Sequence, residues 1–186
     1  MRILVLSDIH YPFSDEREIL RIISKEKPSK IILDGDIIAR AELLRRFFRL
    51  IPKRLRRNTY FINGDEDKVK GDYDVLRLRM GDARLVFIHG HQFNIKSDNV
   101  TANIARLFKI FGSSVPLFLF AFYARRRLHL HGEYLFLGHS HGLKNFKSIR
   151  TVCCGTISNL RGVYNDRGYV VIDNGKVRIV KLRKLY

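Results

Sequence analysis

Cysteine is nearly absent from this chain of 186 residues: there are two, Cys153 and Cys154, and they are neighbours. Adjacent cysteines cannot tie distant parts of a fold together, so a disulfide framework is excluded and a reducing, cytoplasmic setting is expected. The pair is expected to pack inside a strand end, with a redox or ligand role as the alternative. Long hydrophobic runs are missing as well. The longest, Val115 to Ala124, is about half of what a membrane span needs. No internal repeat or low-complexity segment appears. The start of the chain reads as a folded strand, so no cleavable signal peptide is expected. Acid is the last shortage: 18 Asp and Glu stand against 35 Lys and Arg, a formal net charge of +17. Such an excess points to polyanionic partners, although a thermophilic source rich in Lys and Arg would give part of the same signal.

What is present suits one domain, residues 1–186, with a core of real size. Hydrophobic residues make up 46% of the chain, too many for a disordered one. Arg2 to Leu6 is an apolar run of strand length that ends in Ser7-Asp8-Ile9-His10. Ser14 can cap a helix with Asp15 and Glu16 in its first turn and Ile19, Leu20, Ile22 and Ile23 on its apolar side; Pro28 closes it. Lys30 to Asp36 follows as a second buried strand. Strand, helix, strand at this spacing predicts a parallel α/β core. Leu43, Leu44, Phe47, Phe48 and Ile51 then form a helical stripe, with Arg45, Arg46, Arg49 and Lys53 on the other side. That basic side is either a solvated helix face or a surface that tracks the phosphates of RNA or DNA.

Tyr60 to Ile62 is a third strand, which leaves through Asn63-Gly64-Asp65-Glu66-Asp67. Asp74 to Met80 and Arg84 to Ile88 predict a hairpin around Gly81-Asp82, its second arm ending in His89-Gly90-His91. Tyr134 to Leu137 ends in Gly138-His139-Ser140-His141, and strands over Arg150 to Cys154, Tyr169 to Asp173 and Val177 to Leu182 complete the chain. Asn174-Gly175 is a hairpin turn between the last two.

Five strands thus end in groups that can bind metal: Asp8 and His10, Asp36, Asp65, His89, and His139 with His141. With only seven histidines in the chain, so many endings are hard to assign to chance. Three carboxylates with four imidazoles suit two divalent ions of the Mn, Fe or Zn type, whereas an all-oxygen Ca or Mg site would not use four histidines.

The order Asp8-x-His10, Gly35-Asp36, Gly64-Asp65-x-Asp67, His89-Gly90-His91, Gly138-His139-x-His141 resembles the calcineurin-like metallophosphoesterase superfamily, its small single-domain branch most closely. The resemblance implies a four-layer αββα sandwich, two β-sheets face to face with helices outside both. It implies that Asp8, His10, Asp36 and His141 hold one metal, Mn first, with Fe, Zn or Ni as alternatives. Asp36 would bridge to a second metal held by Asp65, His89 and His139. The nucleophile would be a hydroxide bridging the metals, and His91 would lie beside the substrate phosphate. A phosphodiesterase acting on nucleotides or nucleic acid is the expected function; the alternatives are hydrolysis of a lipid-linked substrate and a non-catalytic partner-binding scaffold.

The chain departs from the family at Asp65, where the family has Asn, and at Glu66, where it often has His. Glu66 is either a general acid or a solvated carboxylate; Asp67 is expected to orient the loop. Cys153-Cys154-Gly155-Thr156 occupies the place of the branch's Asn-Pro-Gly-Ser, and Arg161 falls near its Pro-Arg. A helical insertion is expected at about 95–131. Its first helix would run from Ser97 or Asp98 to Gly112 on Val100, Ile104, Leu107, Phe108 and Phe111; its second would start after Ser114 with Pro116 in the first turn. Leu117 to Tyr123 is apolar on all sides and should be covered, by the core, by a second copy, by a lipid-bearing substrate or by a membrane surface. Arg125, Arg126 and Arg127 follow directly. His129 and His131 match no family ligand and are expected to be structural or solvent-facing.

Overall fold

In chain order the strands are β1 (Arg2–Leu6), β2 (Lys30–Asp34), β3 (Thr59–Ile62), β4 (Leu76–Met80), β5 (Ala83–Ile88), β6 (Tyr134–Leu137), β7 (Leu143–Phe146), β8 (Thr151–Cys154), β9 (Gly168–Asp173) and β10 (Lys176–Lys181). The helices are α1 (Glu16–Glu26), α2 (Leu44–Leu50), α3 (Lys53–Arg56) and α4 (Val115–Arg127). This structure, a computed structural model, describes residues 1–93, 112, 114–160 and 164–183. The first expected insertion helix and Arg161 lie outside the described residues.

The strands form two mixed sheets in the orders β10-β9-β1-β2-β3 and β4-β5-β6-β8-β7. In the first, β1, β2 and β3 are parallel; in the second, β5, β6 and β8 are. Strand alternation sorts their side chains into layers. Ile3 and Val5 of β1 meet Phe87, Phe136 and Val152 of the opposite sheet, which packs the two sheets face to face. Leu4 and Leu6 point the other way, onto Ile19, Ile22 and Ile23 of α1 and Phe47 of α2. Val86 and Ile88 of β5 and Leu135 and Leu137 of β6 lie beneath Leu117, Ala121 and Ala124 of α4. Both faces of each sheet are covered, so the parallel strands read as near-continuous apolar runs. The expected αββα layering is therefore observed.

Local differences from the sequence reading have physical causes. Asp15, not Ser14, caps α1, because its carboxylate accepts the backbone N–H of Arg17 while the Ser14 hydroxyl is buried. The second strand stops at Asp34, since Gly35 and Asp36 both turn to positive φ. The edge strand β7 was not expected; Leu-Lys-Asn-Phe is short and lacks β-branched residues. Leu117 to Tyr123 is covered on one side only, with Leu119, Phe122 and Tyr123 exposed. Among the described residues, no helix is long and apolar enough to cross a membrane.

Candidate metal centre

Parallel strands place their C-terminal ends on one edge, and loops leaving that edge converge. Here β1 delivers Asp8 and His10, β2 delivers Asp36, and β3 delivers Asp65 and Glu66. From the second sheet, β5 delivers His89 and His91, and β6 delivers His139 and His141. Their ligand atoms fall into three overlapping groups: Asp36, Asp65, His89 and His139; Asp8, His10 and His141; and His10, Asp36 and Glu66. Within each, one atom per residue lies within 4.8 Å of all the others. Every residue singled out as a ligand from the sequence is in one of these groups.

The contacts between them are close. Asp36 Oδ2 and Asp65 Oδ1 each lie 3.2 Å from His89 Nε2, and Asp65 Oδ1 lies 3.2 Å from His139 Nδ1. Asp8 Oδ1 is 3.2 Å from His141 Nε2, and the Nε2 atoms of His10 and His141 are 3.4 Å apart. Glu66 stands at the mouth, its side chain 65% exposed and its Oε2 3.3 Å from His10 Nδ1. His91 is next door, its Nδ1 3.9 Å from Asp65 Oδ1. Asn63, by contrast, turns away to bond Asp74 and the Gly71 N–H, so the ligand of this loop follows Gly64.

The backbone is strained to bring these side chains inward. Asp8, His10, Asp36, His139 and His141 all have positive φ, between 46° and 62°, a region that costs a non-glycine residue about 1–2 kcal/mol. Tertiary bonds hold them there. Asp8 N–H donates to Gly35 O at 3.1 Å and His10 N–H to Asp36 O at 2.8 Å. Asp67 accepts four backbone N–H groups, from Asp36, Ile37, Ile38 and Gly64, at 2.7–2.9 Å, which is the loop-orienting role expected of it. Gly138 permits the close approach of the sheets: a Cβ there would lie 2.3 Å from Ser7 Oγ and 2.7 Å from His89 Nδ1.

Sequence reasoning missed a supporting layer. Thr156 Oγ1 donates to the Asp8 carbonyl at 2.8 Å, and the Ser158 N–H bonds the same oxygen at 3.2 Å. The Ser7 hydroxyl sits between the Asp8 carboxylate and the Asp34 carbonyl. His89 Nδ1–H donates to that Asp34 carbonyl at 2.9 Å, which fixes its tautomer and leaves Nε2 facing the cluster. The Asp34 side chain is fully buried, and burial first, with the nearby Asp8 charge, pushes its pKa up to about 7. The available signal was an acid inside an otherwise apolar strand.

Several observations test whether this cluster fits metal. Asp8 Oδ1 and His89 Nε2 are buried and make no hydrogen bond; their charged neighbours at 3.2 Å are other members of the cluster, an arrangement that an ion among them would satisfy. Burial alone would raise Asp8, but the His141 and His89 rings hold it at about 2. Burial would lower His89, yet the Asp36 and Asp65 carboxylates carry it well above the ordinary histidine value. His141 is raised in the same way by Asp8, and Asp65 is held far down by His139 and His89. Without metal, then, the carboxylates favour the protonated form of the His89 and His141 rings, and a divalent ion would displace those protons. Mixed carboxylate and imidazole donors suit Mn, Fe or Zn.

The residues outside the cluster fall as follows. Cys153 and Cys154 are both buried in β8, where burial pushes Cys153 up to about 12 and Cys154 also well up, so neither is a thiolate. His129 and His131 are exposed beyond α4 and join no ligand group. Arg45, Arg49 and Lys53 are exposed, and Arg46 is paired with Glu16 at 2.9 Å.

Residues 1–176 match the model of the calcineurin-like phosphoesterase superfamily domain, and the chain belongs to that superfamily. The family is metal-dependent. Similar solved structures include an archaeal phosphodiesterase, 14% identical with a TM-score of 0.60, the match covering 98% of this chain and 100% of that one. A phosphoesterase from E. coli, Yfce, is 14% identical with a TM-score of 0.57 and full coverage of both chains, 100% each. A zinc complex of Vps29 from Entamoeba histolytica is 15% identical with a TM-score of 0.59, covering 98% of each. At these identities the likeness is one of fold. No curated relative matches the sequence.

Proposed function

We propose that this protein is a two-metal phosphodiesterase, most active on the diesters of nucleotides or nucleic acid. The observation that carries the reading is the convergence of Asp8, His10, Asp36, Asp65, His89, His139 and His141 at the C-terminal edge of the strands, their ligand atoms in groups within 4.8 Å. In this reading Asp8, His10, Asp36 and His141 hold one ion; Asp36, Asp65, His89 and His139 hold the other. Mn is the first choice, with Fe, Zn or Ni as alternatives, since carboxylates suit the first and imidazoles the others. Ions bound there supply Lewis acidity and an activated water. The chain's own residues do the rest. Asp67 fixes the loop that presents Asp36, and Asp34 O sets the tautomer of His89. His91, whose ring lies beside Asp65, would bind a phosphate oxygen. Asp65 adds a negative charge where the family has a neutral Asn, and Coulomb repulsion penalises a doubly charged monoester more than a singly charged diester.

The Vps29-like fold raises the alternative of a partner-binding scaffold. Complete ligand groups favour catalysis, because a scaffold gains nothing from five strained ligand residues. The test is an activity screen of Mn-loaded protein against mono- and diesters, with chelated protein and Asp36→Asn beside it. We expect close to two ions per chain by elemental analysis, preference for diesters, and loss of both metal and hydrolysis in Asp36→Asn. Hydrolysis that survives thorough chelation overturns the two-metal reading. For the nucleic-acid substrate, Arg45, Arg49 and Lys53 offer an exposed basic face. Reversing these charges should weaken RNA or DNA binding and flatten its salt dependence by about one unit of slope per lost phosphate contact, leaving turnover of a small diester unchanged.

A further inference from the structure

We propose that the outer face of α4 docks the protein onto a bilayer surface rich in anionic phospholipid. The helix carries two apolar stripes. Leu117, Ala121 and Ala124, spaced i, i+4 and i+7, are buried against β5, β6 and β8. Leu119, Phe122 and Tyr123, spaced i, i+3 and i+4, are exposed at 45%, 46% and 37%. One exposed apolar side chain means little, but these are three of the seven large hydrophobic side chains found exposed among the described residues, side by side on one helix. The same stripe continues, at i+7 and i+8, into Arg126 and Arg127, both exposed and without an ion-pair partner among the described residues.

Charge decides the occupant. Val115–Arg127 contains no Asp or Glu. A second copy packed antiparallel would set the arginines of one stripe over the apolar end of the other; packed parallel, it would set arginine against arginine. Neither arrangement supplies a carboxylate. An anionic bilayer supplies both partners in the right order, hydrocarbon for Leu119 and Phe122 and phosphate for Arg126 and Arg127, with the amphipathic ring of Tyr123 at the boundary. The inner side of the same helix stands beside the metal centre, since Leu117 packs 2.7 Å from where Gly142 would carry a Cβ, and Phe120 packs 2.8 Å from that point on Gly90. Docking by this face is separate from the chemistry of the centre and does not depend on which phosphoester is hydrolysed.

The experiment is co-sedimentation of the full, Mn-loaded chain with vesicles of phosphatidylcholine alone or mixed with phosphatidylglycerol. The expected result is binding to the mixed vesicles, weakened by salt, and reduced about tenfold or more by Phe122→Glu, by Leu119→Glu and by Arg126→Glu with Arg127→Glu. Arg77→Glu with Arg79→Glu, both exposed on the edge strand β4, should bind as the unmodified protein does, which separates this face from general attraction by a basic protein. Turnover of a soluble diester should be equal in all of them, which reports that they fold. Three results overturn the proposal: no binding to mixed vesicles, equal binding by Phe122→Glu and Leu119→Glu, or a dimer in light scattering that Phe122→Glu dissolves.

Discussion

His10 shows how one side chain can serve two partners. Its Nε2 faces the cluster, 3.4 Å from His141 Nε2, while Nδ1 lies 3.3 Å from Glu66 Oε2 on the solvent side. A ligating imidazole is commonly steadied by a carboxylate on its other nitrogen, and loss of such a partner costs about 10- to 100-fold in metal affinity. Glu66→Gln keeps the shape and removes the charge, so metal affinity should fall within that range, as read by competition with a chromophoric chelator. The pH profile of diester hydrolysis at saturating metal should keep its alkaline limb. A lost limb with unchanged affinity would instead assign Glu66 the general-acid role. His89 needs no such carboxylate, because the Asp34 carbonyl already fixes it.

At the level of elements, the centre depends on how closely two strand ends approach. β6 leaves the second sheet at Gly138, whose missing Cβ would fall 2.3 Å from Ser7 Oγ of the first sheet and 2.7 Å from the Asp34 carbonyl. Gly138→Ala must therefore spread the sheets or turn Ser7 away from Asp8. Overpacking of this kind costs about 1–3 kcal/mol, and the same displacement should loosen His89 and His139 together. A lower Tm in chelated protein, with a further loss of metal affinity, is the expected outcome; a change in Tm alone would mean that the strand ends move without the ligands. Such closeness could not be read from sequence, whereas the strands themselves could. Five Asp and His endings were legible because parallel strands buried on both faces appear as apolar runs, and because each ending changes abruptly to Gly, Asp or His. Asp34, Thr156 and Ser158 were not, since their roles come from backbone carbonyls that only the folded chain brings within reach. The edge strand β7 was missed for the opposite reason: its pairing with β8 is imposed by the neighbour, not by its own residues.

For the molecule as a whole, an excess of positive charge makes each buried acid a point of attachment. Glu26, at the C-terminal end of α1, is buried where the helix crosses the first sheet. It accepts from the Tyr169 hydroxyl of β9 at 2.8 Å and from Arg178 Nη2 of β10 at 2.6 Å. These bonds tie the first helix to the last two strands, more than 140 positions apart in sequence. Burial would raise the Glu26 pKa, but the two donors outweigh it and hold the pKa below its ordinary 4.5. The sign follows: the group stabilises the fold fully above the unfolded value, and that stability is lost as pH falls through the lower, folded one. Glu26→Gln removes the charge while leaving Tyr169 an acceptor. It should cost about 1–3 kcal/mol near neutral pH, or roughly 2–4 °C of Tm for each kcal/mol. The difference between the two proteins should shrink as pH drops below the ordinary glutamate range, because the unmodified protein then becomes protonated at the same site. Both are compared in chelator, so that acid release of metal does not enter. A Tm difference that stays constant from neutral to acid pH would show that packing, not charge, is what Glu26 contributes.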